Sequence, residues 1–132
     1  MTSKAAIILF GLILLASCKP SDKYAGDWYA LSDTGEQAMI HFSKEKTMTF
    51  TDESGNEETF EINQNVAGIM NSTRYYRVVV DGSNYYVIFE DKDDEKNAHL
   101  VKQTNIADDF EDMAGEVVYT MNRDDYPAEF GL

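Results

Sequence analysis

The sequence predicts an all-β fold: a small antiparallel meander closing into a barrel or sandwich of about eight strands, with one short helix near the C-terminal end. Three observations predict it. From Gly26 onward, apolar and polar residues alternate with period two. Clusters of Gly, Asn, Asp and Ser interrupt that alternation at short intervals, as turns between antiparallel strands do. The 132 residues, 43% hydrophobic and 12% aromatic, can enclose one core but not two.

Strands are expected near 26–31, 37–43, 47–52, 57–63, 73–81, 84–90, 98–104 and 116–122. In 38–42 and 47–51 the apolar set falls on even positions, Met39 excepted. A loop at Lys44-Glu45-Lys46 then sets Phe42 opposite Met48 and Ile40 opposite Phe50. The next loop, Ser54-Gly55-Asn56, sets Phe50 opposite Phe60 and Met48 opposite Ile62. A slip of one residue would turn the Phe ladder into water, so parity is well determined.

The hairpin from Tyr75 to Glu90 turns at Asp81-Gly82 or Gly82-Ser83, and facing parity is the same for both. One face carries Tyr76, Val78, Val80, Tyr85, Val87 and Phe89 and belongs to the core. The other carries Tyr75, Arg77, Val79, Tyr86, Ile88 and Glu90, mixed enough to be half wet or covered. Between Asn105 and Gly115, Ile106, Phe110 and Met113 fall at helical spacing. That spacing predicts an amphipathic helix of about three turns, stopped by Gly115. The tail from Arg123 is expected as coil, pinned where Tyr126 and Phe130 find a surface.

The chain opens with a single cation, Lys4, and an uncharged run from Ala5 to Leu15. That run is too short for a membrane span of about 20 residues but has the form of a secretory signal. It ends at Leu15-Ala16-Ser17-Cys18, which resembles the lipobox of bacterial lipoproteins. The resemblance implies a signal peptide at 1–17 that is removed and a diacylglyceryl thioether on Cys18. It also implies acylation of the new amino terminus by a fatty acid such as palmitate. Two or more acyl chains, at ~0.8 kcal/mol per buried CH₂, hold a protein stably at a bilayer. Residues 18–25 would then be the lipidated Cys and a tether of at most roughly 23 Å, with a single domain over 26–132. Gly26-Asp27-Trp28-Tyr29 resembles the Gly-x-Trp start of lipocalin-like domains, which implies a Trp plugging one end of a barrel.

With Lys4 removed, ten Lys and Arg stand against 24 Asp and Glu. This balance repels phosphate backbones and anionic headgroups and attracts cations, so nucleic acid is not an expected partner. The lipid would occupy the only Cys, leaving no thiol chemistry. The two histidines, His41 and His99, lack a ligand-type neighbour two residues away and are expected as surface residues. Asp91, Asp93 and Glu95 mimic the start of a calcium loop. Lys96 replaces its Gly and Lys102 its closing Glu, so a solvated turn is expected there. No nucleophile elbow or phosphate-cradling Gly run is present, and no cofactor, metal or catalytic residue is expected.

The aromatic residues could line a cavity or fill the core; with inward Phe42, Phe50, Phe60, Tyr76, Tyr85 and Phe89, a filled interior is the expectation. The functional expectation is a membrane-anchored lipoprotein on the extracytoplasmic face of the cell membrane, with the outer membrane left open as its place in a two-membrane cell. It would act as a non-catalytic binding or interaction module for a cationic protein or peptide, of inhibitor or immunity type. The alternative is a carrier or sensor of a small apolar ligand in a lipocalin-like barrel.

Overall fold

The structure is a computed structural model that describes residues 21–131. The expected signal peptide at 1–17 and the expected lipid attachment at Cys18 lie outside the described residues. Eight strands form a closed antiparallel barrel in sequence order. They are β1 Gly26–Leu31, β2 Gln37–Phe42, β3 Thr47–Thr51, β4 Glu57–Met70, β5 Thr73–Val80, β6 Ser83–Phe89, β7 Asn97–Gln103 and β8 Gly115–Asn122. The barrel shuts where β1 meets β8, through Tyr29↔Asn122, Ala30↔Met121 and Leu31↔Thr120. Closure leaves no free lateral edge of the meander as a whole, which is what a half-buried antiparallel sheet needs to avoid exposing its pairing groups.

Turn chemistry sets the registers. Phe42 faces Met48 and Ile40 faces Phe50, as the loop at 44–46 predicts. Asp81 and Gly82 both take positive φ, 51° and 80°, and join Val80 to Ser83 in a two-residue turn of the kind that matches strand twist. Tyr76, Val78, Val80, Val87 and Phe89 are accordingly buried in the core.

The β3–β4 register differs from the sequence expectation by two residues: Met48 faces Phe60, and Phe50 faces Glu58. The cause is Asp52. Its carboxylate accepts from the N–H groups of Ser54 and Asn56 at 2.9 and 3.0 Å, and its own N–H donates to the Asn56 carbonyl. The loop is therefore centred on Ser54, and the even shift preserves which face is buried.

β4 continues to Met70, well past the expected end at 63. Its pairing with β5 passes from Gln64↔Val78 to Val66↔Arg77, leaving Asn65 as a bulge. A bulge reverses the alternation. A strict period-two reading therefore stops there although the strand does not. Beyond the bulge, Gly68 lies under the Tyr75 ring, where an added Cβ would meet the hydroxyl at 2.5 Å.

The expected helix shrinks to one 3-10 turn, Phe110–Asp112. Asn105 explains the loss. Its side chain donates to the Asp112 carbonyl and accepts from the Ala114 N–H, both at 2.9 Å, closing the segment as a loop. Asp residues favour such local bonds over helix interiors. Phe110 stacks on Tyr75 with centroids 4.0 Å apart and covers the outward, buried Tyr86, whereas Ile106, expected on a buried face, is fully exposed. The tail pins itself to the outer wall, with Tyr126 edge-on to Tyr29 and the Gly131 N–H donating to Thr120 Oγ1.

Candidate functional site

The two ends of the barrel are built differently. One end carries the β2–β3, β4–β5 and β6–β7 connections, together with the lead-in at Ser21–Ala25 and the exit of β8. It is closed. Tyr24, which falls in the expected tether, is wholly buried, its ring 5.0 Å from Phe42 and 5.2 Å from Tyr76. Its hydroxyl donates to Gln64 Oε1 at 2.9 Å, and the Ser21 N–H donates to the same oxygen at 3.0 Å. Residues 21–25 are thus part of the folded body, and any free tether is shorter than the sequence suggests.

Trp28 is also wholly buried at this end, and its indole N–H donates to the Tyr24 carbonyl at 2.8 Å. Arg123 lies across it, the guanidinium carbon 3.8 Å from the ring centroid. Its two Nη atoms donate to the carbonyls of Asp27 and Lys23, at 3.1 and 2.9 Å. Burial draws this guanidinium below its usual proton affinity, against the pull of Asp27 and Glu95. A single cation after the last strand gave no sequence signal for this latch. The surface around the closed end is ion-paired: Lys23 with Glu95, Lys44 with Asp22, and Lys96 with Asp124.

The other end, bearing the β1–β2, β3–β4, β5–β6 and β7–β8 connections, is an open mouth. A cup of about 350 Å³ sits in it, with Met48, Phe50, Phe60, Val80, Tyr85 and Tyr119 forming floor and wall. Glu58, Asp81, Ser83 and Lys102 complete its lining, the two carboxylates exposed to water. Ligand pockets are commonly ~300–1,000 Å³, mostly apolar with a few convergent polar groups, and the cup lies at the small end of that range. Burial, then the charge of Glu36 and the neighbouring Tyr85, pushes the Tyr119 hydroxyl up.

The interior is therefore filled in one half only. Phe42, Tyr76 and Phe89 are buried as expected, but Phe50, Phe60 and Tyr85 stay half-buried around the cup. Sequence parity placed these three inward; Glu58 and Lys102 were missed because each is a charged residue at an inward register position.

His41 is exposed, with Nδ1 2.7 Å from the carboxylate of its cross-strand neighbour Asp27. His99 departs from expectation and is buried. Its Nδ1 lies 3.3 Å from Thr120 Oγ1 and its Nε2 3.1 Å from Glu90 Oε1, partners supplied by adjacent elements rather than by its own strand. In the 91–97 turn the acids serve the turn itself. Asp91 accepts from the Asp93 N–H, and Asp94 accepts from the Lys96 N–H and the Asn97 amide, which holds its carboxyl below the usual range. Among the described residues no group of three or more His, Cys, Asp or Glu side chains is placed to hold a metal ion.

The fold and site define an eight-stranded antiparallel barrel, plugged at one end and cupped at the other. Comparison with protein-family models, curated proteins and solved structures finds no match to the chain.

Proposed function

We propose that this chain is an envelope lipoprotein, anchored through Cys18 and acting as a non-catalytic binding module for a cationic protein or peptide, which it engages at the mouth. The observation that carries the reading is the aromatic cup rimmed by Glu58 and Asp81. Aromatic walls supply contact area, and exposed carboxylates steer a cation toward it. Acid–base catalysis calls for a dry or charge-coupled pocket, and both carboxylates are wet. The lead-in at Ser21 joins the closed end, so an anchor three residues earlier would turn the mouth away from the bilayer.

The test is titration of a Lys-rich peptide against the full chain at low and at high salt, with Glu58→Lys and Asp81→Lys as variants. Binding that weakens with salt, and by about tenfold in each variant, is the expected result. No binding at low salt sinks the reading. The anchor is tested separately by the mass of the native amino-terminal peptide: an unmodified Cys18 removes the lipoprotein half of the proposal.

The cup volume also favours a second reading, the uptake of one small apolar ligand. An uncharged aromatic probe that binds independently of salt, and that the Phe50→Ala variant releases, would support it over the first.

A further inference from the structure

The wall of the barrel is incomplete beside the cup. β4 changes partners along its length: Glu57–Glu61 pair with β3, and pairing with β5 starts only at Ile62↔Val80. One residue past Val80 the chain turns at Asp81-Gly82, so no strand lies beside the upper part of β4 on that side. A gap of about 530 Å³ opens there, lined by Thr59, Glu61, Val79, Asp81 and Gly82 among others.

The direction of the backbone groups follows from two bonds. The Ile62 N–H donates to the Lys46 carbonyl at 2.8 Å, and the Asp52 N–H donates to the Asn56 carbonyl at 3.0 Å. Even-numbered residues of upper β4 therefore spend their backbone groups on β3. In an antiparallel ladder the odd residues point the opposite way. The N–H and C=O groups of Glu57, Thr59 and Glu61 consequently face the gap. Such an edge is a template for another strand.

Resting on the binding function proposed above, we infer that the partner docks as an extended cationic segment, added as a strand to β4 at Glu57–Glu61. Charge complementarity selects that occupant. Glu57, Glu58, Glu61 and Asp81 are exposed, and none of them makes an ion pair among the described residues. Strand pleating then dictates the partner's pattern. Side chains on its outer face lie beside Glu57 and Glu61 and are Lys or Arg. Those on its inner face lie beside Phe60 and drop an apolar group into the cup. Backbone pairing supplies affinity and the alternating side chains supply selectivity, as in other strand-addition complexes.

The probe is the blocked heptapeptide Lys-Val-Lys-Val-Lys-Val-Lys, compared with the same peptide N-methylated on the peptide groups that would face β4. The readouts are affinity and amide hydrogen exchange in the full chain. Exchange at Thr59 and Glu61 is expected to slow about tenfold, and N-methylation to weaken binding at least tenfold. Thr59→Pro, which removes a donor facing the gap while sparing the β3 ladder, should weaken binding by a similar factor. Glu61→Lys provides the same comparison should the proline variant fail to fold. Equal affinity of the N-methylated peptide, with exchange at those amides unchanged, overturns strand addition but leaves the cup as the binding site. Absence of any binding at low salt, with no shift at Phe50 or Tyr119, overturns both.

Discussion

At the closed end of the barrel Tyr24, Trp28, Phe42 and Phe89 are buried, whereas at the mouth Phe50, Phe60, Tyr85 and Tyr119 remain half-buried. Inward-facing strand positions carry both sets, Tyr24 excepted, and β6 alone supplies one of each, Phe89 and Tyr85. What differs is the chain outside the strands. Residues 21–25 fold across the closed end and Arg123 fastens them there, through the Lys23 and Asp27 carbonyls. At the mouth the β3–β4 and β5–β6 turns are too tight to reach over, and the long β7–β8 connection drapes down the outer wall onto Tyr75 and Tyr86. Period-two patterning thus decides which side chains point inward. Whether they become core or binding surface depends on a lid.

Removing the largest piece of the plug should break the comparison most. Trp28→Ala is expected to cost about 3–5 kcal/mol in denaturant unfolding, because it leaves a cavity under Tyr24 and Phe89 and orphans Arg123. Phe50→Ala, at a half-buried position, should cost clearly less and should reduce binding at the mouth instead. Equal losses of stability would show that both ends are core.

Next in size is the latch. Arg123→Ala removes two bonds to carbonyls and the contact with the indole face, an expected loss of about 2 kcal/mol. Arg123→Lys should recover only part of it, since an ammonium cannot span both carbonyls while lying flat on the ring. Full recovery by Lys would reduce the latch to a simple charge effect.

Titration sharpens the contrast with the smallest changes. Burial raises the Tyr24 hydroxyl well above the usual tyrosine value. The folded state therefore holds that proton longer than the unfolded chain. Stability is intact below about pH 10 and falls as pH rises beyond it, and a Tyr24→Phe variant should flatten that alkaline loss. Asp52, in the β3–β4 turn at the mouth end, behaves oppositely. Hydrogen bonds from Asn56, backbone first and side chain second, lower its carboxyl. Its contribution is present above about pH 4 and is lost as pH falls through the folded value, and Asp52→Ala should remove that acid-side slope. Unfolding midpoints measured across pH for the two variants check both signs.

The strand count, the Tyr75–Glu90 hairpin with its facing parity and the Phe42–Met48 pairing were legible because each rests on neighbours in sequence and on turn residues of defined geometry; the choice of Asp81-Gly82 over Gly82-Ser83 as the turn was not. The continuation of β4 was not, since the bulge at Asn65 reverses the pattern a period-two reading follows. Tyr24 reads as tether because its partners, Gln64, Phe42 and Tyr76, come from distant strands. The β3–β4 offset was recoverable in principle: an Asp opening a turn, with acceptors for two following N–H groups, is a local signal. The cup was half legible. Its aromatic residues were placed inward, but the space between them is set by the closure of β1 on β8 and by the short hairpins, quantities no local pattern encodes.

The Arg123–Lys23 fastening also orders events in time. The bond joins positions 100 residues apart, and β1 finds its second neighbour only in β8. An emerging polypeptide cannot shut the cylinder until β8 is free to pair with β1. Contacts of such long range make β-rich domains slow folders. Until β8 arrives, one lateral edge of β1 is without its native neighbour, and an unpaired edge is open to other strands.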